Sequence, residues 1–284
     1  MKMQGKIIKI ISNDFTVLCD DDTIHTCKAR GKFRNQKIVL LVGDYVKIDL
    51  DNNYIMEVLP RKNELLRPAI CNIDQVFIIA STTKPEFDTN LLDKLLVIAE
   101  YNLIKPVICL TKLDLLTESK LEELKPYFEY YKKIGYEVVP NTDLDKIKAL
   151  LKDKITVFTG QSGAGKSTLL NRLEPNFNIK TNEISDALGR GKHTTRHTEL
   201  LNTNDGWVAD TPGFSSLDFN MLGMTKADIR DNFIEFQELR DNCKYKDCMH
   251  FNDDKCFIKN EVQNGNIMQS RYENYIKFIT NKEK

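Results

Sequence analysis

The sequence predicts a multidomain chain in three parts: a small β-barrel, a mostly parallel α/β sheet covered by helices, and a helical module built around a metal. Three observations carry this expectation. Short strands separated by turn residues fill positions 1–66, buried apolar runs alternate with helical periods over 67–222, and in 223–284 the strands stop and a cysteine/histidine cluster appears. Those three ranges are the expected domains.

In the first range, strands are expected over 6–12, 15–19, 23–30, 45–50 and 54–59. Strands at such close spacing, without a helical period between them, indicate a small barrel or sandwich. The stretch from Arg61 to Pro68 reads as an exit linker. Lys28, Arg30, Lys32, Arg34 and Lys37 place five positive charges around Phe33 with no acid among them. On a barrel loop this suits a phosphate-binding tip with one stacking aromatic, and a solvated basic hairpin is the plainer alternative.

In the second range, apolar runs at 76–80, 107–110, 137–139, 156–158 and 207–209 read as buried strands. A helix carries Leu91, Leu92, Leu95, Leu96 and Ala99, with Asp88 or Thr89 as its cap. This alternation implies a parallel sheet covered on both faces. In the third range, Thr225 and Asp228 are spaced to cap a helix bearing Ile229, Phe233, Phe236 and Leu239. A second helical pattern runs through Ile267, Tyr272, Tyr275, Ile276 and Ile279.

Composition narrows the setting. Formal net charge is zero, so any nucleic-acid contact must come from local patches rather than an overall basic field. No apolar run approaches the ~18 residues needed to cross a bilayer. The seven cysteines are an odd number, four scattered and three clustered, which suits a reduced, cytoplasmic protein better than a disulfide framework.

Gly160-Gln161-Ser162-Gly163-Ala164-Gly165-Lys166-Ser167 matches G-x-x-x-x-G-K-[ST], with a strand before it and a helix, starting near Lys166 and including Thr168, after it. Glycines there let the backbone turn its N–H groups onto phosphates. Lys166 reaches the β and γ oxygens, and Ser167 ligates Mg²⁺. Asp210-Thr211-Pro212-Gly213 ends the next strong strand, where the Asp210 carboxylate holds the Mg²⁺ shell and the Gly213 amide approaches the γ-phosphate. Between them, Gly189-Arg190-Gly191-Lys192-His193-Thr194-Thr195-Arg196-His197-Thr198-Glu199-Leu200 reads as a switch loop, with Thr194 or Thr195 closing over the metal. His197 is read as an ordinary loop residue.

Thr111-Lys112-Leu113-Asp114 follows a strand and is similar to the N-K-x-D base motif, whose Asp accepts from guanine N1–H and the 2-amino group. Adenine lacks both donors and would leave the carboxylate unpaired. Thr111 in place of Asn puts part of the loop bracing in question. Asn141-Thr142 would form a second base-contacting loop. The base motif precedes the phosphate motifs, so their order is circularly permuted. The permuted order brings the barrel before the base-binding half and the metal module directly after the switches. Phe214 follows Gly213, where other GTPases place a Gln that orients water, so slow intrinsic hydrolysis completed by His193 or a partner is expected.

Cys243, Cys248, His250 and Cys256 supply three thiolates and an imidazole, a set suited to one tetrahedral structural Zn²⁺. The lack of a Cys-x-x-Cys pair makes redox chemistry less apt.

These segments resemble the ribosome small-subunit-dependent GTPase (RsgA) family over essentially the whole chain. The resemblance rests on Arg30-Gly31-Lys32-Phe33-Arg34, Val42-Gly43-Asp44, Pro60-Arg61-Lys62-Asn63, the phosphate loop through Thr168, His193-Thr194-Thr195, Asp210 to Phe214, and the Cys₃His set. It implies an N-terminal OB-fold barrel, a circularly permuted α/β P-loop GTPase domain and a C-terminal helical zinc-binding module. It also implies GTP hydrolysis stimulated by the small ribosomal subunit and its rRNA during late maturation, with a catalytic role for His193; Lys166 and Thr195 are the further catalytic candidates that the motifs supply. Neither DNA, a membrane nor a homodimer is expected. A departure is Phe251-Asn252-Asp253-Asp254-Lys255, where many members carry Glu-Pro before the last cysteine; this changes the turn more than the ligands. The competing readings are a permuted GTPase of the large subunit, an ATP-dependent small-molecule kinase, and an RNA-binding protein with a vestigial nucleotide site. The barrel-first, zinc-last layout, Asp114, and intact Lys166, Ser167 and Asp210 oppose them in turn.

Overall fold

A computed structural model of the chain describes residues 2–66, 69–175, 199–203, 206–210, 214 and 217–280. Strands β1 (Lys2–Ile11), β2 (Asp14–Cys19), β3 (Ile24–Ala29), β4 (Tyr45–Asp49) and β5 (Tyr54–Val58) close into a barrel in the order β1-β2-β3-β5-β4. Period-two alternation drives the closure: Phe15, Val17 and Cys19 of β2 point inward beside Ile7, Val46, Ile48 and Ile55. A short helix, α1 (Gly31–Asn35), lies between β3 and β4. Here one expectation fails. Phe33 is only 4% exposed and fills the barrel core, so it is no stacking platform. The basic segment carrying it is helical rather than a hairpin.

The expected exit linker is also more than a linker. Residues Glu64–Leu66 (β6) and Ala69–Cys71 (β7) form a hairpin, and Arg61 forks onto the fully buried Asp44 of the barrel at 2.7 and 2.8 Å. Asn72 Nδ2 donates to the Gly43 carbonyl at 2.9 Å. Gly43 itself has a positive φ of 94°, and a Cβ there would collide with the Cys71 carbonyl. The barrel is thus tied to the next domain through Asn72, while the charge-assisted Arg61–Asp44 fork fixes the exit of the barrel's own segment.

The central sheet comprises β8 (Gln75–Ser81), β9 (Lys105–Thr111), β10 (Glu137–Pro140), β11 (Ile155–Gly160), β12 (Leu200–Thr203) and β13 (Gly206–Asp210). Among the described residues its order is β10-β9-β8-β11-β13-β12, parallel except for the antiparallel edge strand β12. Alternate residues of β8 face different cores. Phe77 and Ile79 pack with Phe158, Val107, Leu169 and Leu170, beneath α4 (Leu144–Leu151) and α5 (Lys166–Leu173). Val76 and Ile78 face α2 (Thr89–Tyr101) and α3 (Glu118–Lys133). Burial on both faces explains why these strands read as unbroken apolar runs. Asp88 caps α2, accepting from the Asn90 and Leu91 amides.

The C-terminal part is helical: α6 (Lys226–Asp231), α7 (Ile234–Leu239), α8 (Phe257–Gln263) and α9 (Gln269–Thr280). Thr225 and Asp228 form the expected capping box. The helix read through Leu239 is two short helices, because Asn232 and Phe233 interrupt it; α8 had no clear period. Phe233, Phe236, Tyr275 and Phe278 share one core with Leu92, Leu95 and Ile98 of α2. At that junction Arg271, fully buried, binds Glu235 through Nε and Nη2 and Asp93 through Nη1, each at 2.8 Å. Burial opposes the Arg271 charge, and the two carboxylates override it. Asp93 also accepts from Tyr131 at 2.6 Å and Asn274 at 2.7 Å. No helix among the described residues is long and apolar enough to cross a membrane.

Candidate nucleotide and metal sites

Strands β8 and β11 are neighbours from which the chain winds outward in opposite directions, which opens a crevice at their carboxyl ends. The phosphate loop lies there. Gly160, Gly163 and Gly165 have φ of 150°, 76° and 100°, values that L side chains rarely adopt. A Cβ on Gly160 would also strike the Ile79 carbonyl of β8. Gly165 caps α5, whose first turn holds no acid, so its amides and dipole are available to an anion. Lys166 and the buried Ser167 open that helix. Gln161 donates to Asp88 at 3.5 Å, which ties the loop to the cap of α2.

The base-motif loop is stitched onto this one. The Thr111 hydroxyl donates to the Ala164 carbonyl at 2.5 Å, and Lys112 Nζ donates to the Gly163 carbonyl at 2.8 Å and to the Lys84 carbonyl. Thr111 therefore supplies a brace of its own, which answers the question raised by the missing Asn. Lys112 takes a left-handed φ of 61°, and the 3₁₀ turn Leu113–Leu115 leaves Asp114 exposed beyond it. Asn141 lies beside this loop through its amide to the Leu110 carbonyl at 2.8 Å, and Arg172 of α5 donates to the Asn141 carbonyl at 3.1 Å. Two residues escaped sequence reading. Thr82 bonds the Thr111 carbonyl through its hydroxyl at 2.9 Å, and Asp88 was read only as a helix cap. A turn of Thr82-Thr83-Lys84-Pro85 after a buried strand was the available signal.

Register places the Asp210 backbone opposite Phe158, two residues before Gly160. The Asp210 side chain, His193, Thr194, Thr195, His197, Thr211 and Gly213 lie outside the described residues. Phe214 is fully buried in the core and has no polar group for a water.

The ligand atoms of Cys243, Cys248, His250 and Cys256 all lie within 4.8 Å of one another. His250 Nδ1 is 3.6 Å from Cys243 Sγ and 3.4 Å from Cys256 Sγ, and those two sulfurs are 4.0 Å apart. Tetrahedral zinc implies about 3.5 Å for S···N and about 3.8 Å for S···S, so the donor set fits. Burial pushes the imidazole down to about 4, which keeps it neutral and able to ligate. Burial pushes the Cys248 and Cys256 thiols up, and a bound dication would supply the charge that deprotonates them. Tyr272 and Tyr275 of α9 hold the turn by donating to the His250 and Met249 carbonyls at 2.7 and 2.5 Å.

On the barrel, Lys28, Arg30, Arg34 and Lys37 line a cavity of about 630 Å³ beside the Ser12-Asn13 turn. Lys28 is paired with Asp14 at 2.9 Å.

Residues 58–220 match the family described as RsgA GTPase, and residues 4–55 match the RsgA N-terminal domain. The small ribosomal subunit biogenesis GTPase RsgA of Bacillus subtilis (strain 168) is 45% identical, covering 98% of this chain and 96% of the relative. That of Enterococcus faecalis (strain ATCC 700802 / V583) is 46% identical, covering 98% and 94%. The crystal structure of YloQ, a circularly permuted GTPase, superposes with a TM-score of 0.84 at 39% identity, covering 99% of this chain and 95% of that one. YjeQ from Thermotoga maritima superposes with a TM-score of 0.85 at 33% identity, covering 99% and 98%.

Proposed function

The chain belongs to the RsgA family of circularly permuted GTPases, and from that premise we propose that it is a late assembly factor of the small ribosomal subunit whose slow GTP hydrolysis the subunit stimulates. The observation that carries the reading is the stitching of Thr111 and Lys112 onto Ala164 and Gly163, which makes base recognition and phosphate binding one site.

In this reading Lys166 and the loop amides bind the β- and γ-phosphates, and Asp114 accepts from guanine. Ser167 and Asp210 would hold Mg²⁺, which screens the charge that builds on the phosphates. The Gly213 amide and Thr195 complete the triphosphate contacts, and His193 positions water in place of the apolar, buried Phe214. Cys243, Cys248, His250 and Cys256 would hold one structural Zn²⁺, which staples the turn that α9 supports. The basic mouth of the barrel is assigned to rRNA phosphates, through charge alone and without Phe33 stacking. The module boundaries near residues 66 and 222 and a monomeric, cytoplasmic state belong to the same proposal.

The test is hydrolysis of GTP and ATP with and without purified small subunits. GTP is expected to be preferred and its turnover to rise with the subunit. ATP preference would remove the guanine assignment, and an unresponsive rate would remove the ribosomal one. Asp114→Asn should weaken GTP binding roughly ten- to hundredfold, because a buried donor of the base loses its acceptor.

A further inference from the structure

Both predicted switches hang from one small element. Strand β12 begins at Leu200, the last residue of the predicted switch loop, and β13 ends at Asp210, where the predicted second switch begins; Leu200 pairs with Ala209, so both lie at the same end of the β12–β13 hairpin. The outer edge of that hairpin is not left open. Glu199 forms an antiparallel bridge with Lys9 of β1, and the two side chains form an ion pair at 2.9 Å. Three residues earlier in β1, Lys6 lies over the ring of Trp207 in β13 at 4.7 Å, and 5.9 Å from the centroid of Tyr45. Burial lowers the Lys6 pKa, with Asp74 opposing the shift.

We propose that β1 of the barrel is a nucleotide-sensing clasp on the β12–β13 hairpin, tightened in one nucleotide state and loosened in the other, so that the γ-phosphate is read by the barrel. The inference rests on the GTP-site reading above. Its physical basis is the mismatch between the two barrel attachments. At the root, the Cys71 amide and Asn72 Nδ2 donate to the Val42 and Gly43 carbonyls at 2.9 Å each, beside the fully buried Asp44 onto which Arg61 forks. At the clasp, Lys9 and Glu199 remain 34% and 39% exposed, in the range where an ion pair contributes little and a small displacement of the hairpin is enough to part it. The root keeps the barrel attached while the clasp responds.

Trp207 is the only tryptophan in the chain, so the clasp carries its own fluorophore. The experiment uses the full-length, metal-loaded chain. Trp207 emission is recorded with Mg²⁺-GDP and with a Mg²⁺-bound non-hydrolysable GTP analogue, and both affinities are measured by calorimetry in the parent and in Lys9→Ala/Glu199→Ala. The expected result is different emission in the two nucleotide states of the parent and a smaller difference in the variant. By linkage, the ratio of analogue to GDP affinity should change in the variant by up to about fivefold, the ceiling set by a pair that contributes about 0–1 kcal/mol. Equal emission with both nucleotides bound, or the same affinity ratio in parent and variant, would overturn the clasp. If the double variant does not fold, Lys6→Met carries the same affinity test. A parent that binds neither nucleotide would bring down the site reading and the clasp together, and that failure is recognisable because binding itself is lost.

Discussion

The GTPase domain holds its two neighbours by opposite kinds of chemistry. On the α2 side, Arg271 joins Glu235 and Asp93 with almost no solvent contact, and the aromatic rings of Phe233 and Tyr131 pack against the guanidinium at 4.5 and 5.7 Å. On the β12 side, the barrel touches the hairpin through the Lys9–Glu199 backbone bridge, a part-exposed ion pair and one cation–π contact, while Ile8 and Ile10 of β1 pack, partly buried, on the core that includes Leu200. Breaking one partner of a buried ion pair costs about 3–5 kcal/mol, whereas an exposed pair contributes about 0–1 kcal/mol. The helical module must therefore move as one body with α2, and the barrel has a contact that a modest free energy can open. The difference teaches that attachment strength, and not proximity to the predicted switches alone, would decide which neighbour could report on nucleotide.

The strongest way to break the contrast is to remove the metal staple. Cys256→Ser, or treatment with a strong zinc chelator, should unfold the C-terminal turn and lower stability by several kcal/mol, read by thermal melting alongside bound zinc. A melting curve indifferent to chelation would show that the module stands on packing alone. Next in size is Arg271→Met, which leaves Asp93 and Glu235 buried without their cation. A loss of about 3–5 kcal/mol is expected in urea unfolding, part of it recovered when Asp93→Asn and Glu235→Gln are added. A loss below about 1 kcal/mol would mean that both interfaces are equally weak. The smallest effect belongs to Lys9→Ala, which should cost less than about 1 kcal/mol and should vanish as salt rises. A salt-independent loss comparable to that of Arg271→Met would erase the distinction between the two regions.

Much of the site could be read from the chain because its motifs are local. A glycine pattern between a strand and a helix, or four metal ligands in one short turn, states its geometry within a few residues of itself. The barrel strands and α2 were legible for the same reason, since a period of two or 3.6 needs only its own segment. Thr82 and Asp88 left no such mark. Their role depends on β8 lying beside β9 and β11, and side-chain periodicity does not encode strand order. The missing Asn at position 111 looked like a weakness in sequence, and only the approach of the Ala164 carbonyl shows that a shorter hydroxyl can brace the loop. Phe33 was misread because an aromatic among lysines and arginines looks exposed until a closing barrel supplies apolar neighbours.

The sequence by itself determined the three-part layout, the guanine-type base motif ahead of the phosphate motifs, and the metal donor set, because each is written in short-range spacing. Chain order also suggested that the barrel would serve the base-binding half and the helical module the switch half. The tertiary structure decided otherwise in part. Phe219, just after the predicted second switch, does pack on Phe278 of α9. Yet the module's buried charges lock onto α2, and it is the barrel that contacts the β12–β13 hairpin. Arg271 and Asp93, like Lys6 and Trp207, are far apart in the chain and become partners only when the sheet order and the barrel's docking bring their elements together. That choice is made by packing and desolvation over the whole molecule, which no local pattern records.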